Sequence, residues 1–175
     1  MLQEHKQRPK QVLKSEMAVK MRKLNFPISE HKIAREDDHT RIFDVIRKKW
    51  VVLTPEEWVR QNLIKYLTDE LGYPGQLITV EKSLLYNGMK RRSDLVVYDR
   101  SGNPLLIAEC KAPEITVKSS TFDQAAKYNF SMRVPYLLIT NGLNHYCCAF
   151  RLDDNGWTFL DEIPAYEELL STKKA

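Results

Sequence analysis

Two apolar runs, each joined to a carboxylate, constrain this chain more than anything else in it. Asp94 heads the run Leu95-Val96-Val97-Tyr98, and Leu105-Leu106-Ile107-Ala108 leads into Glu109-Cys110-Lys111. Runs this short, rich in aliphatic residues, read as buried strands. The segment from Asp99 to Pro104 between them is built of turn residues, so the two strands pair as antiparallel neighbours. Burying charge is costly unless it is paired or bound to a metal, so a buried strand does not need two carboxylates and an ammonium at its end. Residues two apart on a strand share a face, which puts Glu109 and Lys111 together and turns Cys110 the other way. Pairing then brings Asp94 near Glu109 and assembles hard oxygen donors suited to a divalent cation, with Lys111 alongside. The competing structural reading is an ion-pair network, in which Lys111, Arg91 or Arg92 simply neutralises the two carboxylates.

At 175 residues the chain fits one domain with a sizeable core and needs no covalent staple. No apolar stretch reaches the length of a membrane span, and no apolar segment of the signal-peptide kind follows the basic N-terminal residues. The three cysteines, Cys110, Cys147 and Cys148, form no C-x-x-C pair. They read as small core residues in a reducing cytoplasm. The net charge of +4 is unevenly spread: residues 1–23 carry seven Lys and Arg residues against Glu4 and Glu16, so the remainder is close to neutral. We read residues 1–23 as a basic, flexible tail and 24–175 as a single domain with its core at about 54–150.

The clearest element is a helix beginning at Thr54-Pro55-Glu56-Glu57. Thr54 suits the N-cap, Pro55 the first helical position, and Glu57 the third, where it completes a capping box. Gly72-Tyr73-Pro74-Gly75 stops the helix after about Leu71. Its apolar face carries Val59, Leu63, Tyr66 and Leu67. Helical phase puts Glu56 within about 40° of the centre of that face and Glu57 well outside it. Glu56 is therefore expected to point inward as a third carboxylate, although a place at the helix dipole also accounts for it. The rest reads as strands at Leu77–Leu84, at the two runs above, at 135–140 and at 146–150, with a helix at about 120–132 and a further edge strand at 157–160. The order α-β-β-β-α-β-β describes an α/β (α+β) domain, a mixed central sheet flanked by helices. Residues 24–53 have anchors at Ile42, Phe43, Val45, Ile46 and Trp50 but no decisive period. The acidic cluster Glu36-Asp37-Asp38-His39 reads as a solvated turn.

That order and those residues resemble the PD-(D/E)xK nuclease superfamily, and within it the N-terminal nuclease domain of type I restriction enzyme R subunits. The resemblance spans about residues 54–150. Asp94 matches the family's first metal-binding carboxylate, and Glu109 with Lys111 its E-x-K. Gln124-Ala125-Ala126-Lys127-Tyr128 matches the Q-x-x-x-Y of the RecB-like branch, and Glu56 the acidic residue of the first helix. Ser93 stands where a proline gives the superfamily its name. No G-x-x-x-x-G-K-S/T loop occurs, so neither a bound nucleotide nor the ATP-driven translocase of a full R subunit is expected.

The resemblance implies a metal-dependent DNA endonuclease in restriction or DNA defence. Mg²⁺, with Mn²⁺ as substitute, is held by Asp94, Glu109, Glu56 and the Cys110 carbonyl, since carboxylate and carbonyl oxygens suit a hard cation. Lys111 stabilises the attacking hydroxide or the transition-state oxyanion. Gln124 and Tyr128 orient the attacking water or contact the strand. Arg91, Arg92, Lys118 and Lys127 meet phosphates in this reading, or else merely solubilise. The partners are DNA and a separate translocase or restriction subunit, with no membrane. Two alternatives stand beside this one: a binding module of the same fold with cleavage weak or lost, and a nuclease subunit active only with its translocase. The near-neutral body favours help from a partner, because an independent DNA binder usually shows a basic face.

Overall fold

The structure is a computed structural model describing residues 21–36, 38–86, 89–118, 120–123, 125–126, 134–151 and 156–172, with side chains described except at 82–92 and 172. Three short strands come first: β1 (Ile33–Glu36), β2 (His39–Asp44) and β3 (Lys49–Val52) form an antiparallel sheet of their own. This is the region the sequence left unassigned. Its strands are four to six residues long and covered unevenly on both faces, so no clean alternation survives; Val45, read as an anchor, is in fact exposed. The acidic cluster falls at the β1–β2 hairpin, where Glu36 faces His39 and pairs with Arg41 at 2.5 Å; Asp37 lies outside the described residues.

Helix α1 (Pro55–Lys65) starts as its sequence dictates, with the Glu57 backbone N–H donating to Thr54 Oγ1 at 3.0 Å. A wider π turn, Tyr66–Glu70, continues it, and Gly72 ends it in the left-handed region at φ +69°. The main sheet has six strands in the order β4 (Ile78–Tyr86), β5 (Met89–Tyr98), β6 (Pro104–Cys110), β7 (Tyr136–Thr140), β8 (His145–Phe150) and β9 (Trp157–Leu160). All neighbours are antiparallel except β6 and β7. A parallel pair needs a crossover, and the helical residues 120–123 and 125–126 lie within it.

Each sheet face has its own cover. Val59, Leu63 and Ile64 of α1 and Leu67 of the π turn pack on Leu95, Val97, Leu106, Ala108 and Cys110, joined by Tyr166 and Leu169 of α2 (Tyr166–Thr172). On the opposite face Val96, Ile107, Leu137 and Ile139 meet Phe122, Ala125 and Ala126. Each fully buried aliphatic side chain of α1 contributes about 2 kcal/mol by area removed from water, which fixes the helix against β5 and β6. A helix held this way brings its first turn to the end of β6, where Glu109 and Cys110 stand.

The chain ahead of β1 packs on this body too. Leu24 is buried, the Asn25 backbone N–H donates to the Gly142 carbonyl at 2.7 Å, and Phe26 lies against the rings of Tyr66 and His145. Residues 1–20 of the expected tail lie outside the described residues. Among those described, no helix is long and apolar enough to cross a membrane.

Candidate active site

Register assembles the site. Leu95 pairs with Ala108 across β5 and β6, so one step further Asp94 stands opposite Glu109. The Cys110 backbone N–H donates to Asp94 Oδ2 at 2.8 Å and pins that carboxylate to the strand end. Lys111 lies just beyond β6, its backbone N–H donating to the Thr140 carbonyl at 2.8 Å, so the ladder with β7 holds it in line with Glu109. Glu109 and Lys111 are both half-buried. On the other side of β5, Val80 pairs with Leu95 and Lys82 with Ser93, which places Glu81 opposite Asp94. Glu81, Asp94 and Glu109 thus stand level on three adjacent strands. Glu81 adopts φ +53°, a left-handed conformation that a non-glycine residue seldom takes and that often marks a functional position.

Cys110 faces the core, as strand alternation requires, and is fully buried. Burial pushes its thiol well above the ordinary range, Asp94 and then Glu109 and Glu56 push it further, and Arg60 opposes them. The other two thiols, Cys147 and Cys148, are also buried and free, each pushed up to about 12 chiefly by burial.

The structure corrects the helical phase of the two adjacent glutamates. Glu57 is buried, whereas the Glu56 side chain keeps 45% of its exposure. Glu57 also does more than cap: its backbone N–H completes the Thr54 cap, but its carboxylate accepts from Arg47 Nη2 at 2.9 Å, Gln61 Nε2 at 2.8 Å and, closely, Arg60 Nη1. The cause is a second cover on α1. The end of β2 and the turn after it bring Asp44 and Arg47 against the helix, so Glu57, Arg60 and Gln61 are enclosed although they lie off the apolar face. Asp44 in turn accepts from Arg47 Nε at 2.5 Å and Gln61 Nε2 at 2.9 Å. Glu56 still reaches the site, 3.3 Å from Arg60 Nη2, and the same nitrogen lies 3.2 Å from Asp94 Oδ1.

Arg60 and Arg47 are the cations the sequence reading missed. Burial alone lowers both guanidinium pKa values, but carboxylates outweigh it: Glu57 and Asp94 for Arg60, Asp44 and then Glu57 for Arg47. Both remain firmly charged. A signal existed in the chain: Arg60-Gln61-Asn62 interrupts a helix between Val59 and Leu63, and Glu81 interrupts an apolar strand. Neither says which partner it meets.

Of the other expected site residues, Gln124, Lys127 and Tyr128 lie outside the described residues. Arg91 and Arg92 belong to β5, opposite Leu84 and Ser83, and their side chains are not among those described. Lys118 is exposed. Among the described residues no three His, Cys, Asp or Glu side chains form a ready-made metal cage. The candidate donors are Asp94, Glu109, the Cys110 carbonyl and, beyond Arg60, Glu56. All are oxygens, and Arg47 and Arg60 each bridge several carboxylates around them. That donor chemistry fits a divalent cation such as Mg²⁺.

A family model described as the type I restriction enzyme R protein N terminus matches residues 55–164, from the first turn of α1 to just before α2. The chain belongs to this family. The family's span holds the whole six-stranded sheet and the site, while β1–β3, which supply Asp44 and Arg47, lie outside it. No curated protein sequence matches the chain. Among solved structures it is similar to a fragment of a putative HsdR subunit of a type I restriction enzyme from Vibrio vulnificus YJ016, at 20% identity and a TM-score of 0.50. That match covers 68% of this chain but only 25% of the other. The fold is restriction-endonuclease-like, a mixed, mostly antiparallel sheet flanked by few helices.

Proposed function

We propose that this chain is a divalent-metal-dependent DNA endonuclease domain of a restriction system, acting in the cytoplasm. The observation that carries the reading is the alignment of Asp94, Glu109 and Lys111 at the ends of adjacent strands, with the Cys110 N–H fixing Asp94. Asp94, Glu109 and the Cys110 carbonyl are the groups that would hold Mg²⁺ or Mn²⁺, with Glu56 as an outer ligand. Such an ion supplies a polarised phosphate and an activated water. Lys111, in line with Glu109, places a positive charge where the attacked phosphate gains negative charge. Gln124 and Tyr128 are assigned to orienting water or strand, and Arg92 and Lys127 to phosphate contacts. The family match to the type I restriction enzyme R protein N terminus supports work alongside a translocase or other restriction subunits.

The test is nicking of supercoiled plasmid in Mg²⁺, Mn²⁺ or EDTA, with and without added subunits. Asp94→Asn, Glu109→Gln and Lys111→Ala should each abolish metal-dependent nicking while the circular dichroism spectrum stays native. Wild-type nicking by the Glu109→Gln protein would remove the assignment. Retained DNA binding by a wild-type protein that never nicks would favour the binding-module alternative.

A further inference from the structure

Arg60 is 5% exposed and spreads its guanidinium over both halves of the site. Its Nη1 meets Glu57 closely and lies 4.0 Å from Glu81. Its Nη2 is shared between Glu56 at 3.3 Å and Asp94 at 3.2 Å. Its Nε finds no acceptor among the described residues. The two ends differ in kind. Glu57 is itself clamped by Arg47 and Gln61, so the Nη1 end is anchored. The Nη2 contacts are longer than the roughly 2.7–2.9 Å of a strong charge-assisted bond, and they fall on two carboxylates assigned above to a metal.

We propose that Arg60 is a positioning residue, the resident counter-cation of the metal site. It holds Asp94 and Glu56 over one point before a divalent ion arrives and gives up both contacts when the ion binds. This rests on the nuclease reading and adds to it a competition built into the site. Without Arg60, Asp94 and Glu56 repel each other in a part-buried place; with it, they stay aligned, but an incoming ion meets a positive charge beside its ligands. The protein therefore gains stability in the metal-free state at the expense of metal affinity. The anchor at Glu57 keeps the displaced guanidinium nearby, so the carboxylates return to it when the ion leaves.

The test uses Mn²⁺ alone, without DNA: free Mn²⁺ is followed by electron paramagnetic resonance, and melting temperature is measured in EDTA and in Mn²⁺. Arg60→Gln should melt lower than wild type in EDTA, bind Mn²⁺ about tenfold more tightly, the scale of one nearby unit charge in a part-buried site, and show a larger Mn²⁺-induced rise in melting temperature. Arg60→Lys keeps the charge that Glu57 requires but cannot span to Asp94 and Glu56, so it covers the case in which the Gln variant fails to fold. It should melt closer to wild type in EDTA and still bind Mn²⁺ more tightly. Unchanged or weaker Mn²⁺ binding in whichever of these variants folds overturns the proposal. Absence of Mn²⁺ binding in wild type, or equal binding by Asp94→Asn, instead removes the metal site itself, so the two failures are distinguishable.

Discussion

Removing the Glu57 carboxylate should damage the fold far more than removing its neighbour's. The Glu57 side chain is 8% exposed and accepts from Arg47, Arg60 and Gln61. Truncating one member of a buried ion pair costs about 3–5 kcal/mol, because the other charge stays buried without its partner. Here both arginines keep other carboxylates, Asp44 and Glu81 for Arg47, Asp94 and Glu56 for Arg60, so the lower end applies. Glu57→Ala is expected to lose about 3 kcal/mol, and Glu57→Gln about 2 kcal/mol, since the amide keeps the volume and some of the hydrogen bonding. The Thr54 cap is not part of this loss, because it uses the Glu57 backbone N–H. Glu56→Gln, with a side chain 45% exposed and one long contact to Arg60, should change stability by less than about 0.5 kcal/mol. It should act instead on metal-dependent nicking. Urea unfolding monitored by tryptophan fluorescence gives each midpoint and slope. Glu57→Ala within 1 kcal/mol of wild type, or a Glu56→Gln loss as large as that of Glu57→Ala, would refute the reasoning about which glutamate is enclosed.

Two further outcomes follow from the packing around the β7–β8 turn. His145 Nδ1 lies 2.7 Å from Thr140 Oγ1 and Nε2 3.1 Å from the Asn25 carbonyl; burial pulls its pKa below the ordinary 6.5, with the Asn25 bond opposing. The unfolded chain thus takes up a proton more readily, so His145's contribution is complete above pH 6.5 and is lost as pH falls from there through the folded pKa. Melting temperature against pH should drop across that window and flatten in His145→Gln; an identical slope in the variant would exclude His145 as the cause. Gly142 has φ +81°, and a Cβ there would lie 2.7 Å from Leu24 Cδ2 and 3.1 Å from Val59 Cγ2. Gly142→Ala should cost more than about 1 kcal/mol, from strain and collision together, and expose residues 24–26 to limited proteolysis; an unchanged melting temperature would mean the turn is looser than its geometry.

The sequence by itself determined much of the local structure, because the relevant forces are local. Thr54, Pro55 and Gly72 bracket a helix wherever they occur, and the apolar runs at 95–98 and 105–108 can only be buried strands. Turn residues between them made the pair antiparallel, and that pairing already implied that Asp94 and Glu109 meet. The tertiary structure decided everything that depends on a second covering layer. Helical phase computed from Val59, Leu63, Tyr66 and Leu67 assumes one buried face, but α1 is enclosed on a second side by Asp44 at the end of β2 and Arg47 in the turn after it. Glu57 was thereby drawn inward and Glu56 left at the rim. Arg60 likewise finds its partners Glu57 and Asp94 only in the folded chain, where it is buried. Strand register then put Glu81 level with Asp94, a relation between residues thirteen apart that no spacing rule encodes. Charges far apart in the chain become neighbours only when the core has chosen its layers, which is why the carboxylates of the site were legible early and their cation was not.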